Sequence, residues 1–237
     1  MKRIRVIVPV ATDIWNEPAR QDIEPYKNAD TTIEICNIAQ GPESVESVYD
    51  EAWAELPTVQ QAERAEQEGC DGIIIYCFGD PGLGAVKERL SIPAVGINEA
   101  AVHLASIVGH RFSIISVGPG DAIAHLVHTK LRLYGVEHKC ASVRYTGIPV
   151  LQLEEDKKRE ADRALEEAQQ AVRQDGADTI VLGCGGLLGL ERRITEALKV
   201  PVIVPGRAAL KVCEALIDLR VTQSKKYYAL PADKRRD

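Results

Sequence analysis

GCDGIIIYC, residues 69–77, and GADTIVLGC, residues 176–184, are two versions of one device: the end of a helix, a turn on a glycine, a short apolar run and a cysteine that closes it. Apolar runs of this length, rich in β-branched residues and bounded by turn residues, read as buried strands. A strand with no polar alternation is buried on both faces, which is the condition of a parallel sheet covered by helices on each side. The likeness extends well beyond the nonamers. Arg3 to Pro9 (RIRVIVP) falls over Arg111 to Val117 (RFSIISV), Leu90 to Val95 (LSIPAV) over Leu198 to Ile203 (LKVPVI), and Ala100-Ala101 over Ala208-Ala209, each with a shift of 108 residues. The nonamers are shifted by 107, a difference that one loop residue absorbs. The chain is an internal duplication.

Each half reads as four strand–helix units. Strands are expected at Val6 to Val8, Thr32 to Ile35, Gly72 to Tyr76 and Ala94 to Ile97, then at Phe112 to Val117, Ser142 to Tyr145, Thr179 to Leu182 and Val202 to Val204. Helical patterns such as Glu46 to Glu68 and Lys157 to Gln174 lie between them. The pattern predicts an α/β protein of two similar parallel-sheet halves related by a pseudo-twofold axis. The first domain is expected to comprise residues 1–97 with 206–237, and the second residues 98–205. In such sheets the working groups sit beyond the carboxyl ends of the strands, where Cys77 and Cys184 both fall. Two equivalent halves would point both thiols into one cleft between them.

The 237 residues are ample for two domains of ordinary size, and the 45% hydrophobic and 27% charged content is that of a globular protein. A formal net charge of −6 supplies no basic field, so no nucleic-acid partner is expected. The opening MKRIRVIVPV has a basic start and an apolar run, but Arg5, Pro9 and Asp13 break it and no small-residue cleavage pattern follows, so it reads as a first strand rather than a signal peptide. No run approaches the roughly 18 apolar residues of a membrane span, and a cytoplasmic protein is expected. The six cysteines (Cys36, Cys70, Cys77, Cys140, Cys184, Cys213) are thinly spread, as befits reduced thiols. Cys36, Cys70, Cys140 and Cys213 read as core or surface residues. His125 and His128 share a helix face without a third ligand, so no metal is expected.

What can two facing thiols do? A thiolate is a competent base and a thiol a competent acid. With one on each face of a carbon, one removes a proton and the other returns it from the opposite side, which inverts the centre without any cofactor. Gly185, Gly186 and Leu187 follow Cys184 and would leave backbone N–H groups at the start of the next helix. Phe78, Gly79, Asp80, Pro81 and Gly82 follow Cys77, with Pro81 suited to a first helical turn. Such N–H groups suit a small-molecule substrate whose carbonyl gains enolate-like charge. The turn Ser116, Val117 and Gly118, and its copy at Pro9, Val10 and Ala11, lie beside the same cleft. Asp80 and Glu99 read as helix caps or first-turn charges, with Asp80 alternatively orienting Cys77 or a substrate N–H. Glu154 to Glu160 reads as a solvated loop and helix start. Lys225 to Tyr228 reads as a tail, docked on a neighbouring subunit or frayed.

Six segments, YCFGDPGL from Tyr76, PAVGINEAA from Pro93, RFSIIS from Arg111, IPVLQLEED from Ile148, LGCGGL from Leu182 and SKKYYA from Ser224, resemble the aspartate/glutamate racemase superfamily, and within it the hydantoin racemase branch that includes allantoin racemases. The resemblance spans most of the chain in the family's order. It implies two flavodoxin-like halves, an active site between them, Cys77 and Cys184 as the acid/base pair, and a homo-oligomer. Two departures bear on substrate. The branch usually carries Ile-Asn-Pro-Asn where this chain has Ile7-Val8-Pro9-Val10, and tends to have Asp-Gly-Val where it has Val204-Pro205-Gly206. Val10 therefore stands where an amide would bind a ureide ring, and the pocket wall is expected to be more apolar.

The leading expectation is a cofactor-independent racemase of 5-substituted hydantoins or related cyclic ureides. Phe78, Gly79, Asp80 and Val10 would contact the substrate, and Gly185, Gly186 and the turn from Ser116 to Gly118 would bind the carbonyl. Rival readings are another family member, such as an amino-acid racemase, a cis–trans isomerase or a decarboxylase using one cysteine; a small-molecule binding protein whose thiols are incidental; and a redox pair closing a disulfide across the cleft.

Overall fold

The computed structural model describes residues 1–153 and 155–235. Strand and helix alternate throughout. The first half runs β1 (Lys2–Val8), α1 (Asn16–Ile23), β2 (Thr31–Asn37), α2 (Val48–Gln67), β3 (Gly72–Ile75), α3 (Leu83–Arg89), β4 (Ala94–Gly96) and α4 (Ile97–Val108). The second runs β5 (Phe112–Ser116), α5 (Gly120–Leu133), β6 (Cys140–Tyr145), α6 (Lys157–Gln174), β7 (Thr179–Leu182), α7 (Leu190–Leu198), β8 (Val202–Ile203) and α8 (Pro205–Leu219). The strands form two parallel four-stranded sheets, ordered β2-β1-β3-β4 and β6-β5-β7-β8. The duplication is thus repeated in the strand order itself.

All eight expected strands are present. The largest difference is at β1, which begins at Lys2 rather than Val6 because ion pairs make its arginines compatible with a central strand. Arg5 is held by Glu34 at 2.6 Å and Glu68 at 2.7 Å, and Arg3 by Glu34 at 2.9 Å. Period-two geometry then divides the apolar residues between two faces. Ile4, Val6 and Val8 of β1 and Ile74 of β3 join a core that continues through Ile114 and Val181 of the second half. Ile7, Ile73 and Ile75 face the other way, onto Ala54 and Ala62 of α2 and Leu83 and Val86 of α3. This two-sided burial explains why the strands lack polar alternation.

The last helix of each half crosses to the other. α4 follows β4 yet packs on β7 and β5, whereas α8 follows β8 yet packs on β3 and β4, and the two helices also pack on each other. Gly72 makes room for this: a Cβ there would lie 2.6 Å from the Cys213 sulfur of α8. Cys70 and Cys213 are buried core residues.

α6 spans the expected residues and is capped by Asp156, whose side chain accepts from the Arg159 N–H at 2.9 Å. Glu154, at the head of the expected charged stretch, lies outside the described residues. The C-terminal stretch docks on its own chain, since Lys225 Nζ donates to the carbonyls of Lys87 at 2.7 Å and Glu88 at 2.9 Å. No helix among the described residues is long and apolar enough to cross a membrane.

Candidate active site

Strand order places the site. In each sheet the two central strands, β1 with β3 and β5 with β7, flank the point where the crossover direction reverses, and the chain beyond their carboxyl ends forms the crevice. Cys77 lies beyond β3 and Cys184 beyond β7.

The two thiols line the same cleft, and it has two lobes. One lobe, with ≈ 530 Å³ of empty space including open solvent at its mouth, is walled by Val8, Pro9, Val10, Trp15, Pro18, Ser44, Tyr76, Gly185 and Gly186. The other, with ≈ 460 Å³ on the same measure, is walled by Gly79, Ser116, Val117, Ile123, Leu126, Val127 and Gly183. Cys77, Cys184, Phe78, Val45 and Val150 belong to both, so the thiols stand where the lobes meet. Glu46 ties the roof together: its carboxylate accepts from Ser44 Oγ at 2.8 Å and from the Val150 N–H at 3.1 Å, linking a loop of each half.

The turns that carry the thiols are copies down to their ends. Asp80 N–H donates to the Cys77 carbonyl at 2.9 Å, and Leu187 N–H to the Cys184 carbonyl at 3.3 Å. Each turn closes on a left-handed glycine, Gly82 at φ 72° and Gly189 at φ 76°, and only then does α3 or α7 begin. This corrects the expectation that helices start directly after the thiols: Pro81, Gly185 and Gly186 are turn residues, because the chain closes one turn on each cysteine carbonyl first. The N–H groups beside the sulfurs are therefore those of the turns. Gly186 N–H donates to the Cys184 sulfur at 3.3 Å. The first N–H after each thiol, on Phe78 and on Gly185, is engaged by no other group among the described residues.

Both sulfurs touch the cleft, but the protein around them is dense and loss of water dominates their acidity. Burial pushes the Cys77 thiol up to about 12; the Gly79 N–H opposes the rise, and Cys184, Asp80 and Glu51 add to it. Burial likewise pushes Cys184 up to about 12, opposed by the N–H groups of Gly186 and Leu187 and reinforced by Glu160 and Glu46. Both thiols therefore hold their protons at neutral pH.

Of the residues expected to bind substrate, Val10, Phe78, Gly79, Ser116, Val117, Gly185 and Gly186 line the two lobes. The turn after β5 offers less than expected, because Gly118 N–H already donates to the Ile148 carbonyl at 2.7 Å and Ser116 Oγ to the Gly183 carbonyl at 3.4 Å. Ser116 and Val117 are its residues in the lining of the second lobe.

Asp80 turns away from the lobes. Held at φ 47° and fully buried, it accepts from the N–H groups of Asn98 at 3.1 Å and Glu99 at 2.8 Å at the start of α4, and from Tyr134 Oη at 2.6 Å. Gly96 is what admits it, since a Cβ there would meet the carboxylate at 2.2 Å. Asp80 therefore caps α4, and burial raises its pKa to about 7 against the pull of these donors. Glu99 sits in the first turn of α4 and pairs with Lys87.

Trp15, Pro18, Ser44, Val45, Tyr76 and Val150 line the cleft without having been singled out from the sequence. Only Tyr76 left a signal there, an aromatic directly before the thiol where the copy has Gly183. All six cysteines are free thiols. Among the described residues no group of three or more His, Cys, Asp or Glu could hold a metal ion.

Residues 4–213 match the family model described as Asp/Glu/Hydantoin racemase. The chain belongs to that family. It is 37% identical over 234 residues, 98% of each chain, to the hydantoin racemase of Paenarthrobacter aurescens, and 36% identical over 229 residues, 96% of this chain and 94% of the relative, to that of Rhizobium meliloti. Its fold is that of the allantoin racemase from Klebsiella pneumoniae, with a TM-score of 0.94 at 34% identity over 100% of this chain and 96% of the other. The protein is thus an isomerase of the Asp/Glu racemase family, a racemase.

Proposed function

We propose that this racemase inverts C5 of 5-substituted hydantoins by a two-base mechanism that needs no cofactor, with Cys77 and Cys184 on opposite faces of the ring. The observation that carries the reading is the position of both thiols at the waist of a two-lobed cleft. When C5 of a hydantoin loses its proton it becomes planar, with the ring leaving on one side and the 5-substituent on the other. A plane passed between two sulfurs therefore needs space for the ring and space for the substituent, and a cleft whose two lobes are each lined by both thiols supports that reading.

One thiol must first give up its proton, and the charge that forms keeps the second in place, so the competent form is one thiolate and one thiol. The thiolate takes the C5 proton, and the electron pair left behind moves onto the neighbouring carbonyl. The opposite thiol then gives its own proton to C5 from the other face, leaving the two sulfurs with their roles exchanged. The unengaged N–H groups of Phe78 and Gly185 would receive the charge on the carbonyl oxygen. The lobe lined by Val117, Ile123, Leu126 and Val127 suits an apolar substituent; a ureido group there would leave polar atoms unpaired. Grouping residues 1–97 with 206–237 and setting 98–205 apart fits this reading, because α8 packs on the first sheet and α4 on the second. So does a homo-oligomer, since Tyr49, Trp53 and Leu56 stand exposed on α2; sedimentation as a monomer at micromolar concentration would remove that part.

The test is α-proton exchange in deuterium oxide with each enantiomer of several 5-substituted hydantoins, followed by NMR and optical rotation. Wild type should exchange with inversion. Cys77→Ser and Cys184→Ser should each lose inversion and keep exchange of only one enantiomer, opposite for the two variants. Failure of every hydantoin to exchange would end the substrate assignment, and full inversion by either variant would end the two-base mechanism.

A further inference from the structure

Each thiol-bearing turn is held by a tyrosine whose hydroxyl is bonded to a buried carboxylate, and in each case the hold comes from the other half. Beyond Cys77, the Asp80 carboxylate accepts from Tyr134 Oη at 2.6 Å, and Tyr134 is the residue that closes α5 of the second half. Beyond Cys184, Gly185 packs against the ring of Tyr76, from the first half; a Cβ on Gly185 would come within 2.6 Å of that ring. The ring is closed in from its other edge by Gly206, where a Cβ would also come within 2.6 Å. Tyr76 Oη donates to Asp22 Oδ2 at 2.8 Å and lies 3.4 Å from the Gly185 carbonyl; with one proton to give, the shorter contact takes it. Asp22 is 2% exposed and is itself fixed by Arg207 Nε at 2.9 Å, and Arg207 reaches on to Glu191 of α7 at 2.8 Å.

The duplication did not create this pairing. At a shift of 107, Tyr76 falls on Gly183 and Asp80 on Leu187, so neither clasp has a copy of itself. The two are built from different parts and can be loosened one at a time.

We propose that Tyr134 and Tyr76 are positioning residues, Tyr134 for Cys77 and Tyr76 for Cys184, each fixing the sulfur of the opposite half against its own face of the substrate. The assignment rests on the two-thiol reading above. Neither hydroxyl moves the reacting proton. Removing Tyr134 Oη takes one of three donors from the carboxylate that ends the Cys77 turn, and removing Tyr76 Oη unties from Asp22 the ring against which Gly185 packs. Either loosens its turn, and a misplacement of about 1 Å in a sulfur can cost on the order of a hundredfold in rate.

Racemisation rates cannot reveal which sulfur has moved. The two enantiomers have equal free energy, so kcat/KM for inversion must fall equally in both directions. Exchange of the C5 proton with solvent carries no such constraint. The experiment is therefore initial deuterium wash-in from each enantiomer with Tyr76→Phe and Tyr134→Phe, alongside Cys77→Ser and Cys184→Ser to establish which enantiomer each sulfur serves. Tyr134→Phe should lower exchange of the enantiomer that Cys77→Ser loses, by about tenfold or more relative to the other. Tyr76→Phe should do the same to the enantiomer that Cys184→Ser loses. Asp80→Asn and Asp22→Asn attack the same clasps from the acceptor side, should reproduce the respective patterns, and stand in for a tyrosine variant that fails to fold. Equal loss of both enantiomers, or no loss, in the tyrosine variants overturns the positioning roles while cysteine variants of opposite selectivity leave the two-thiol reading standing. Cysteine variants that show no opposite selectivity overturn that reading and the proposal with it.

Discussion

Gly185→Ala is the sharpest perturbation the cleft offers. The added methyl would sit 2.6 Å from Tyr76 Cε1 and 3.1 Å from Cδ1, where ordinary contact begins at 3.4 Å, so about 0.8 Å must be found. Tyr76 cannot yield it, because its far edge is flush with Gly206 and its hydroxyl is tied to Asp22. The turn itself must move, and it carries Cys184. Overpacking of this kind costs about 1–3 kcal/mol. For a chain of this size each kcal/mol lowers the melting temperature by about 2–4 °C, so a fall of about 2–12 °C is expected by calorimetry. Racemisation followed by polarimetry should fall about ten- to a hundredfold, because the displaced group is a proton donor and not a mere contact. Gly84→Ala is the control: on α3 its methyl would meet nothing within 4 Å, and a helical glycine costs about 0.5–1 kcal/mol relative to alanine, so this variant should melt slightly higher and turn over normally. A Gly185→Ala protein with wild-type melting and wild-type rate would refute the wedge.

Because burial holds both thiols near 12, kcat/KM for wild type should climb about tenfold per pH unit from neutrality toward pH 10; a plateau below pH 8 would assign the base to another group. Asp80 has a folded pKa raised to about 7, chiefly by burial with Glu99 adding to the rise and Tyr134 opposing it. A carboxyl raised in this way contributes stability that is whole below its unfolded value near 4 and is lost as pH rises to about 7. Urea midpoints at pH 5 and 8 should therefore differ less in Asp80→Asn than in wild type, and an unchanged difference would rule out Asp80 as the titrating group. Lys130 of α5 pairs with the buried Glu51 of α2 at 2.5 Å across the two halves. Lys130→Ala strands that carboxylate and should cost about 3 kcal/mol in chemical denaturation; a loss under about 1 kcal/mol would mean that water reaches Glu51.

The strands were legible in the sequence because their signal is local: short β-branched runs between turn residues, seen twice at one spacing. The thiols were legible because the duplication put both at strand ends, where position alone implies a crevice. What escaped depends on contacts distant in sequence. Asp80 looks like a substrate contact on its loop, and only a left-handed φ and the start of α4, eighteen residues on, turn it inward. The donors of Ser116 and Gly118 were open to substrate on paper, and Gly183 and Ile148 have taken them. The clasps of Tyr76 and Tyr134 were hidden because they break the very symmetry that made the rest readable.

The crossing of α4 and α8 bears on how the protein can be taken apart. A chain cut between α4 and β5 would yield a first fragment carrying a helix that belongs on the other sheet and lacking the one its own sheet needs, and a second fragment with the converse defect. Neither piece could close its core alone, whereas mixed together each holds what the other is missing. The halves are complementary fragments rather than modules, and the intact chain should melt in one transition despite its two sheets.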